Sequence, residues 1–244
     1  TEKPDMETFL REWTALVGSK SGERGIFNRQ ASKKQAAKNG RRDTEWEFGT
    51  NPCSEIILRP YQFCNLSEVV VRATDDLKSL SDKVKLATII GTIQSSLTKF
   101  PYLRKVWQKN TEEERLLGVS LTGIMDNPLL TTKNKGLAQM LDHLRHVAVD
   151  TNKEWAVRLG VQQSTAITCV KPSGTVSQLV DSASGIHARH SPYYYRTVRG
   201  DNKDPITQFM KDQGIPSELC VMKPATTTVF TFPIASPKNA VTRN

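Results

Sequence analysis

Hydrophobic residues change their period several times along this chain, and each change predicts an element. Phe9, Trp13, Leu16 and Val17 recur at helical spacing within residues 5–17, predicting a short helix with one apolar side. A loop over 18–25 follows, then a short strand at 25–28. Next comes a basic helix over 29–38, which stops at Asn39-Gly40, a pair suited to a left-handed turn. Ser79 followed by Asp82 resembles a capping box. Behind it Leu86, Ile89, Ile90, Ile93 and Leu97 form one stripe, ended by Phe100-Pro101. Residues 116–122 read as a buried strand. Residues 133–159 read as a long helix carrying Leu137, Met140, Leu141, Leu144 and Ala148 and stopped by Gly160. A strand near 165–170, a turn at Pro172-Ser173-Gly174 and a short helix from Thr175 come next. The tail adds a strand near 193–198, a helix near 205–211 and an apolar strand at 227–232. Helices alternating with buried strands predict an α/β fold. The chain shows no internal repeat.

Composition narrows the classes without choosing among them. The 244 residues suffice for one large domain or two small ones. No apolar run approaches the roughly 18–20 residues that span a bilayer. The opening Thr1-Glu2-Lys3-Pro4 lacks a secretory pattern, so a cytoplasmic protein is expected. Charge is uneven: residues 20–42 hold eight of the 34 basic residues (Lys20, Arg24, Arg29, Lys33, Lys34, Lys38, Arg41, Arg42) against one of the 25 acidic ones, Glu23. Such a segment suits nucleic acid or smaller anions such as nucleoside phosphates, and equally a solvated helix face. None of the four cysteines (Cys53, Cys64, Cys169, Cys220) forms a Cys-x-x-Cys pair, which excludes zinc-ribbon and thioredoxin-type readings.

Asn51-Pro52-Cys53-Ser54-Glu55 carries the most chemistry. An amide, a thiol and a carboxylate alternate, and an extended loop would point all three the same way. The thiol suits a nucleophile or hydrogen-atom carrier, the carboxylate a proton acceptor, and the amide a hydroxyl-holding group. With no histidine nearby, a Cys-His hydrolase is not supported. A surface turn with incidental polar residues is the plain alternative. In Pro172-Ser173-Gly174-Thr175 a strand ends, glycine permits close backbone approach and a helix begins, the arrangement that binds phosphate. The plain alternative there is an ordinary capped helix. The pairs His143/His146 and His187/His190 have no completing ligands, so no metal site is expected. Cys169 reads as a small core residue, Cys220 is unassigned, and Tyr193–Tyr195 read as core or pocket wall.

Gly49-Thr50-Asn51-Pro52-Cys53-Ser54-Glu55-Ile56 resembles the active-site finger loop of the ribonucleotide reductases. Cys64, eleven residues after Cys53, resembles the second cysteine of the adenosylcobalamin-dependent (class II) branch. The likeness continues in order through residues 117–123, Lys171 to Ser177, Ser184-Gly185-Ile186-His187 and Tyr193 to Arg196, covering the chain from about Gly22 onward. It implies the second half of a ten-stranded α/β barrel across 1–244, with a finger loop at about 49–66 and a substrate-phosphate loop at about 171–177. It further implies that Cys53 forms a thiyl radical that takes the 3′ hydrogen of a ribonucleotide. Glu55 would take the 3′-hydroxyl proton, Asn51 would bind sugar hydroxyls, and Cys64 would be half of a reducing dithiol. The implied cofactor is adenosylcobalamin, the substrate a ribonucleoside triphosphate and the reductant of the thioredoxin type. A complete catalytic chain is longer, so the resemblance also implies a partner for this one: the remainder of the reductase, supplied in trans if the gene is split. A reductase with another radical source and a basic nucleic-acid-binding module are the competing readings. Direct nucleic-acid binding is not expected.

Overall fold

The computed structural model describes residues 3–21, 25–132 and 135–243. Thr1, Glu2, Gly22, Glu23, Arg24 and Lys133 lie outside the described residues, and with them part of the N-terminal, basic-segment and long-helix expectations. In chain order the elements are α1 (Met6–Ser19), α2 (Arg29–Ala37), β1 (Gly49–Thr50), β2 (Ile57–Leu58), β3 (Asn65–Val70), α3 (Leu77–Gln94), α4 (Lys105–Glu114), β4 (Leu117–Thr122), α5 (Pro128–Thr131), α6 (Lys135–Leu159), α7 (Thr175–Leu179), β5 (Tyr193–Asp201), α8 (Pro205–Asp212), β6 (Ser217–Leu219) and β7 (Thr227–Ala235).

The layer that positions the site is parallel. β3 and β4 pair in register from Asn65↔Leu117 to Val70↔Thr122. On the far side of β4 an extended stretch runs parallel to it. Leu117 N–H donates to the Ala166 carbonyl, Val119 N–H to that of Ile167, and Cys169 N–H to that of Val119. These are successive crossover connections, each returning through helices. One face of the layer (Val69, Val71, Val119) packs with Leu80, Val84 and Ala87 of α3 and Leu144 and Ala148 of α6 to form the core. A second sheet is antiparallel in the order β5-β7-β6, registered from Tyr193↔Ala235 to Asp201↔Thr227.

Five sequence expectations change, the first being that Tyr193 and Tyr195, expected as core or pocket wall, stand 80% and 77% exposed on β5. Residues 25–28 form no strand, because no described segment pairs with them. The strand expected near 165–170 is held by isolated pairing instead of a ladder. The capping box of α3 sits earlier than Ser79-Asp82: Asp76 is the N-cap, its carboxylate accepts the Ser79 N–H, and the Ser79 hydroxyl closes the box. Finally, the stripe on α3 faces outward. Leu86 and Ile90 are 61% and 62% exposed, and Ile93 and Leu97 are exposed too. Beyond Leu80 near its start, the buried face is built from smaller residues, Val84, Ala87, Thr88, Gly91 and Thr92. Their size lets the helix approach β4 closely, and a Cβ on Gly91 would stand 3.5 Å from Leu117. Thr88 and Thr92 return their hydroxyls to carbonyls one turn back, so burying them leaves no bond unmade.

The loop after α7 is anchored by charge. Buried Arg189 grips Asp126 through Nε and Nη2 at 2.8 and 2.9 Å, and Asp126 accepts the Ala183 N–H at 2.8 Å. Among the described residues no helix is long and apolar enough to cross a membrane.

Candidate active site

Residues 49–58 form a small hairpin, with β1 and β2 antiparallel as Gly49↔Leu58 and Thr50↔Ile57. Its stem is clamped on both sides by one residue of α4. Glu114, 1% exposed, receives Arg42 in two hydrogen bonds of 2.9 and 2.8 Å. On the far side of the hairpin Gln62 donates to it at 2.6 Å, and Arg59 lies 3.2 Å away. The guanidinium of Arg42 also covers Phe48 and that of Arg59 covers Trp46. Arg42 therefore belongs neither to a solvated helix face nor to an anion-binding patch. The basic segment is divided between structural and exposed cations.

At the tip the chain is tightly turned, not extended. Ser54 adopts a left-handed φ of 63°, its N–H donates to the Asn51 carbonyl, and Asn51 Oδ1 accepts the Ile56 N–H at 3.0 Å. The simple alternation argument therefore fails. Cys53 is exposed at the tip, whereas the Glu55 side chain is 0% exposed. Asn51 uses its side-chain oxygen to close the loop, and its side-chain amide stands beside the Glu55 carboxylate.

Glu55 is the centre of the site. Lys171 Nζ reaches its Oε1 at 2.8 Å, while its Oε2 is buried without a hydrogen-bond partner. Burial pushes this carboxyl up, but the bond from Lys171, with its own backbone N–H and the Asn51 side-chain amide standing near without meeting Oε2 in a hydrogen bond, holds it below its ordinary value. Two further thiols feel the same charge. Burial, then the charge of Glu55, raises the Cys64 thiol, and Cys169 is pushed up to about 12 by burial, Glu55 and Cys64. Lys171 is raised above its usual value, first by its bond to Glu55 and also by Cys53 and Cys169, against the effect of burial. Close approach of these groups depends on Gly118. A Cβ there would meet Leu66 at 2.4 Å, Ile56 at 3.0 Å and the Cys169 sulfur at 3.1 Å. Glu55 and Cys169 also line a cavity of about 620 Å³ whose other walls are mainly aliphatic, including Val119, Leu121, Leu137 and Leu144.

The expected phosphate loop joins this cluster directly. Lys171 leads into Pro172, exposed, and Ser173, buried with its hydroxyl on Glu68 at 2.8 Å. Gly174 caps α7 without a side-chain bond and is exposed with Thr175. Gly185 (φ 53°) packs on this turn, where a Cβ would stand 3.3 Å from the Lys171 carbonyl, and Ser184 donates to the Ser173 carbonyl.

Asn51, Glu55, Cys64 and the start of the 171–175 loop are thus brought together, with Cys53 at the exposed rim. Sequence reasoning missed two participants. Cys169, taken for a core thiol, is half-buried at the cluster. Lys171 was inside a recognised motif, but no local pattern pairs it with a carboxylate 116 positions away. The histidine pairs serve elsewhere: His143 reaches Ser81, His146 sits on Asp142, and His190 packs edge-on against Tyr194.

No family model matches the chain. It is similar to the adenosylcobalamin-dependent ribonucleoside-triphosphate reductase of Lactobacillus gasseri, 31% identical over 243 residues, which is 88% of this chain and 32% of that protein. The enzyme of the same description from Lactobacillus delbrueckii subsp. bulgaricus is 28% identical over 246 residues, with 88% and 32% covered. That from Lacticaseibacillus paracasei is 29% identical over 253 residues, with 90% and 33% covered. Among solved structures it is similar to a B12-dependent (class II) ribonucleotide reductase, with a TM-score of 0.64 and 27% identity over 81% of this chain and 30% of that one. The chain spans about a third of the length of the curated relatives it matches.

Proposed function

We propose that this chain, a relative of the adenosylcobalamin-dependent ribonucleoside-triphosphate reductases over about a third of their length, carries the substrate-reducing chemistry of such an enzyme. The observation that carries the reading is the meeting of the Cys53 hairpin, Cys64 and the 171–175 loop around the buried Glu55–Lys171 pair. In this reading the parallel layer of β3, β4 and residues 165–169 is part of a barrel half, and the hairpin is its finger loop. The rest of the barrel, including the partner of Cys64, lies in the remainder of the enzyme.

The chemistry follows from where each group stands. A thiyl radical on Cys53 removes the 3′ hydrogen of the ribose. Glu55 accepts the 3′-hydroxyl proton through Oε2, the oxygen that Lys171 leaves open. The 2′-hydroxyl then leaves as water with a proton from the dithiol. Cys64 and its partner supply two electrons, end as a disulfide and are restored by a thioredoxin-type reductant. The second hydrogen of the dithiol goes to C2′, Glu55 gives its proton back to the 3′ oxygen, and Cys53 finally returns the hydrogen atom to C3′. Asn51 amide N–H groups orient the sugar hydroxyls. Ser173, Gly174 and Thr175 receive the phosphates on backbone N–H groups at the start of α7, and Pro172, which has no N–H to donate, shapes the turn that presents them. Adenosylcobalamin, when bound, supplies the radical by cobalt–carbon homolysis. The exposed Cys53 thiol fits that requirement, since it is open to a generator placed alongside.

The test is reconstitution with the remainder of a class II reductase, in trans or by fusion, with adenosylcobalamin, a dithiol and a ribonucleoside triphosphate. Cys53→Ser is expected to abolish deoxynucleotide formation, because a hydroxyl hydrogen is held too strongly to relay a radical. Full activity in that variant would sink the proposal. Salt-sensitive DNA or RNA binding that needs residues 20–42 but not Cys53 would instead favour the nucleic-acid reading.

A further inference from the structure

We infer that Lys171 is the positioning residue of this site: it holds one oxygen of Glu55 so that the other alone is offered to the sugar, tying the aim of the base to the phosphate loop. The inference rests on the reading of Glu55 as the proton acceptor. It begins from an asymmetry within one carboxylate. Oε1 is bonded to Lys171 at 2.8 Å, while Oε2 is equally buried and has no hydrogen-bond partner. A buried anionic oxygen without a donor is costly, so the site is built for a donor that arrives with the ligand.

Lys171 is also the first residue of the turn assigned to phosphate, and that turn is tied down at several points. Gly185 packs against the Lys171 carbonyl and the Ser173 N–H, Ser173 is tied to Glu68, and Ser184 is tied to the Ser173 carbonyl. The span from phosphate contacts to base is therefore one short covalent segment plus one ion pair. A nucleotide seated by its phosphates finds the carboxylate at a fixed reach. Such positioning converts binding energy into orientation at the reacting atoms.

Other charged groups near Glu55 are committed elsewhere or stand on its rim. Arg42 is held by Glu114 and Arg145 by Asp142. Lys38 and Arg41 line an adjoining cavity that also touches Glu55. The thiols of Cys64 and Cys169 face it as weak acids and Asn51 as a neutral amide, with Cys53 near Lys171. Without Lys171, burial would dominate, and Glu55 would protonate at higher pH.

Two measurements test this together. The first is a carboxyl carbon-13 NMR titration of Glu55 in the 244-residue chain, as wild type, Lys171→Met and Lys171→Arg. The second is the pH profile of kcat/KM in the reconstituted enzyme. An opposite charge at this distance lowers a carboxyl pKa by about 1–3 units, so Lys171→Met is expected to raise both the Glu55 midpoint and the acid limb by about that much. Lys171→Arg should restore most of the difference. Should Lys171→Met not fold, Lys171→Gln, which removes the charge but still donates a hydrogen bond, is expected to shift both in the same direction by a smaller amount. A midpoint that stays within about half a unit of wild type overturns the inference, because a charge in contact must move it further. So does a Lys171→Arg variant no better than Lys171→Met. If the titration shifts but Glu55→Gln turns over normally, the reading of Glu55 as base falls instead. If Glu55→Gln is impaired and the titration is unmoved, only the Lys171 inference falls.

Discussion

Glu114→Gln isolates what holds the hairpin stem. The substitution keeps the shape and removes the charge at a site where Arg42 donates twice, Gln62 once, and Arg59 stands 3.2 Å away. It also turns one acceptor oxygen into an N–H₂ group facing other donors. Removing one member of a buried ion pair costs about 3–5 kcal/mol, because the other charge stays buried without compensation. Arg59 retains Glu113 at 2.7 Å, so only Arg42, 4% exposed at its side chain, is orphaned. That places the expected loss at the lower end, about 3 kcal/mol. The whole chain is stable by about 5–15 kcal/mol, so this is a large share. At about 2–4 °C per kcal/mol for a chain of this size, Tm should fall by about 6–12 °C, read by circular dichroism. Replacing the pair together, Arg42→Met with Glu114→Met, should recover most of the loss, since two apolar side chains need no compensation. A single variant within about 2 °C of wild type, or a double variant less stable than the single one, would refute the reasoning.

Gly118→Ala forces a methyl group against Leu66, Ile56 and Cys169, and should cost about 1–3 kcal/mol in urea denaturation. Unchanged stability would mean that the neighbours have room to yield. Iodoacetamide at pH 8, followed by mass spectrometry, should label exposed Cys53 long before Cys169. With its thiol pushed up to about 12, Cys169 is ionised in only about one molecule in ten thousand at that pH, and equal labelling rates would count against the burial described. In the reconstituted enzyme Cys64→Ser should leave radical formation intact while multiple-turnover reduction fails, checked by electron paramagnetic resonance beside product assay. Glu55→Gln should slow turnover by about 10²–10⁴-fold with nucleotide binding retained, measured by kcat against Kd.

How much the sequence reveals depends on how local each signal is. The apolar run of β4 was legible because periodicity and burial coincide there, and the α6 stripe was legible in part: Leu144 and Ala148 are buried and Leu137 and Met140 half-buried, but Leu141 is exposed. The outer stripe of α3 misled for a physical reason. That helix is apolar on two sides, and packing chose the side with smaller residues, where the backbone approaches the sheet. β3 and α4 were not predicted: β3 has polar Asn65, Ser67 and Glu68 among its apolar residues, and α4 lacks an apolar face and a side-chain cap. In the site, the order of motifs pointed to Asn51, Cys53, Glu55, Cys64 and the 172–175 turn. The bend at Ser54, which separates the exposures of Cys53 and Glu55, follows from hydrogen bonds that no spacing rule anticipates. Lys171 and Cys169 join through contacts far apart in sequence, so only the folded chain reveals them.

The double grip of Glu114 on the hairpin has a mechanical meaning. A loop tethered at one end swings, but one held by the same residue on both flanks behaves as a short stiff cantilever, free only at its tip. Arg42 before the hairpin and Gln62 after it share the same carboxylate, so neither strand slides without the other. Cys53 rides on that tip. With the stem unable to slide, any movement of the sulfur is confined to the turn around Ser54. The reach of the thiol is therefore set by that turn alone, and not by the hairpin as a whole.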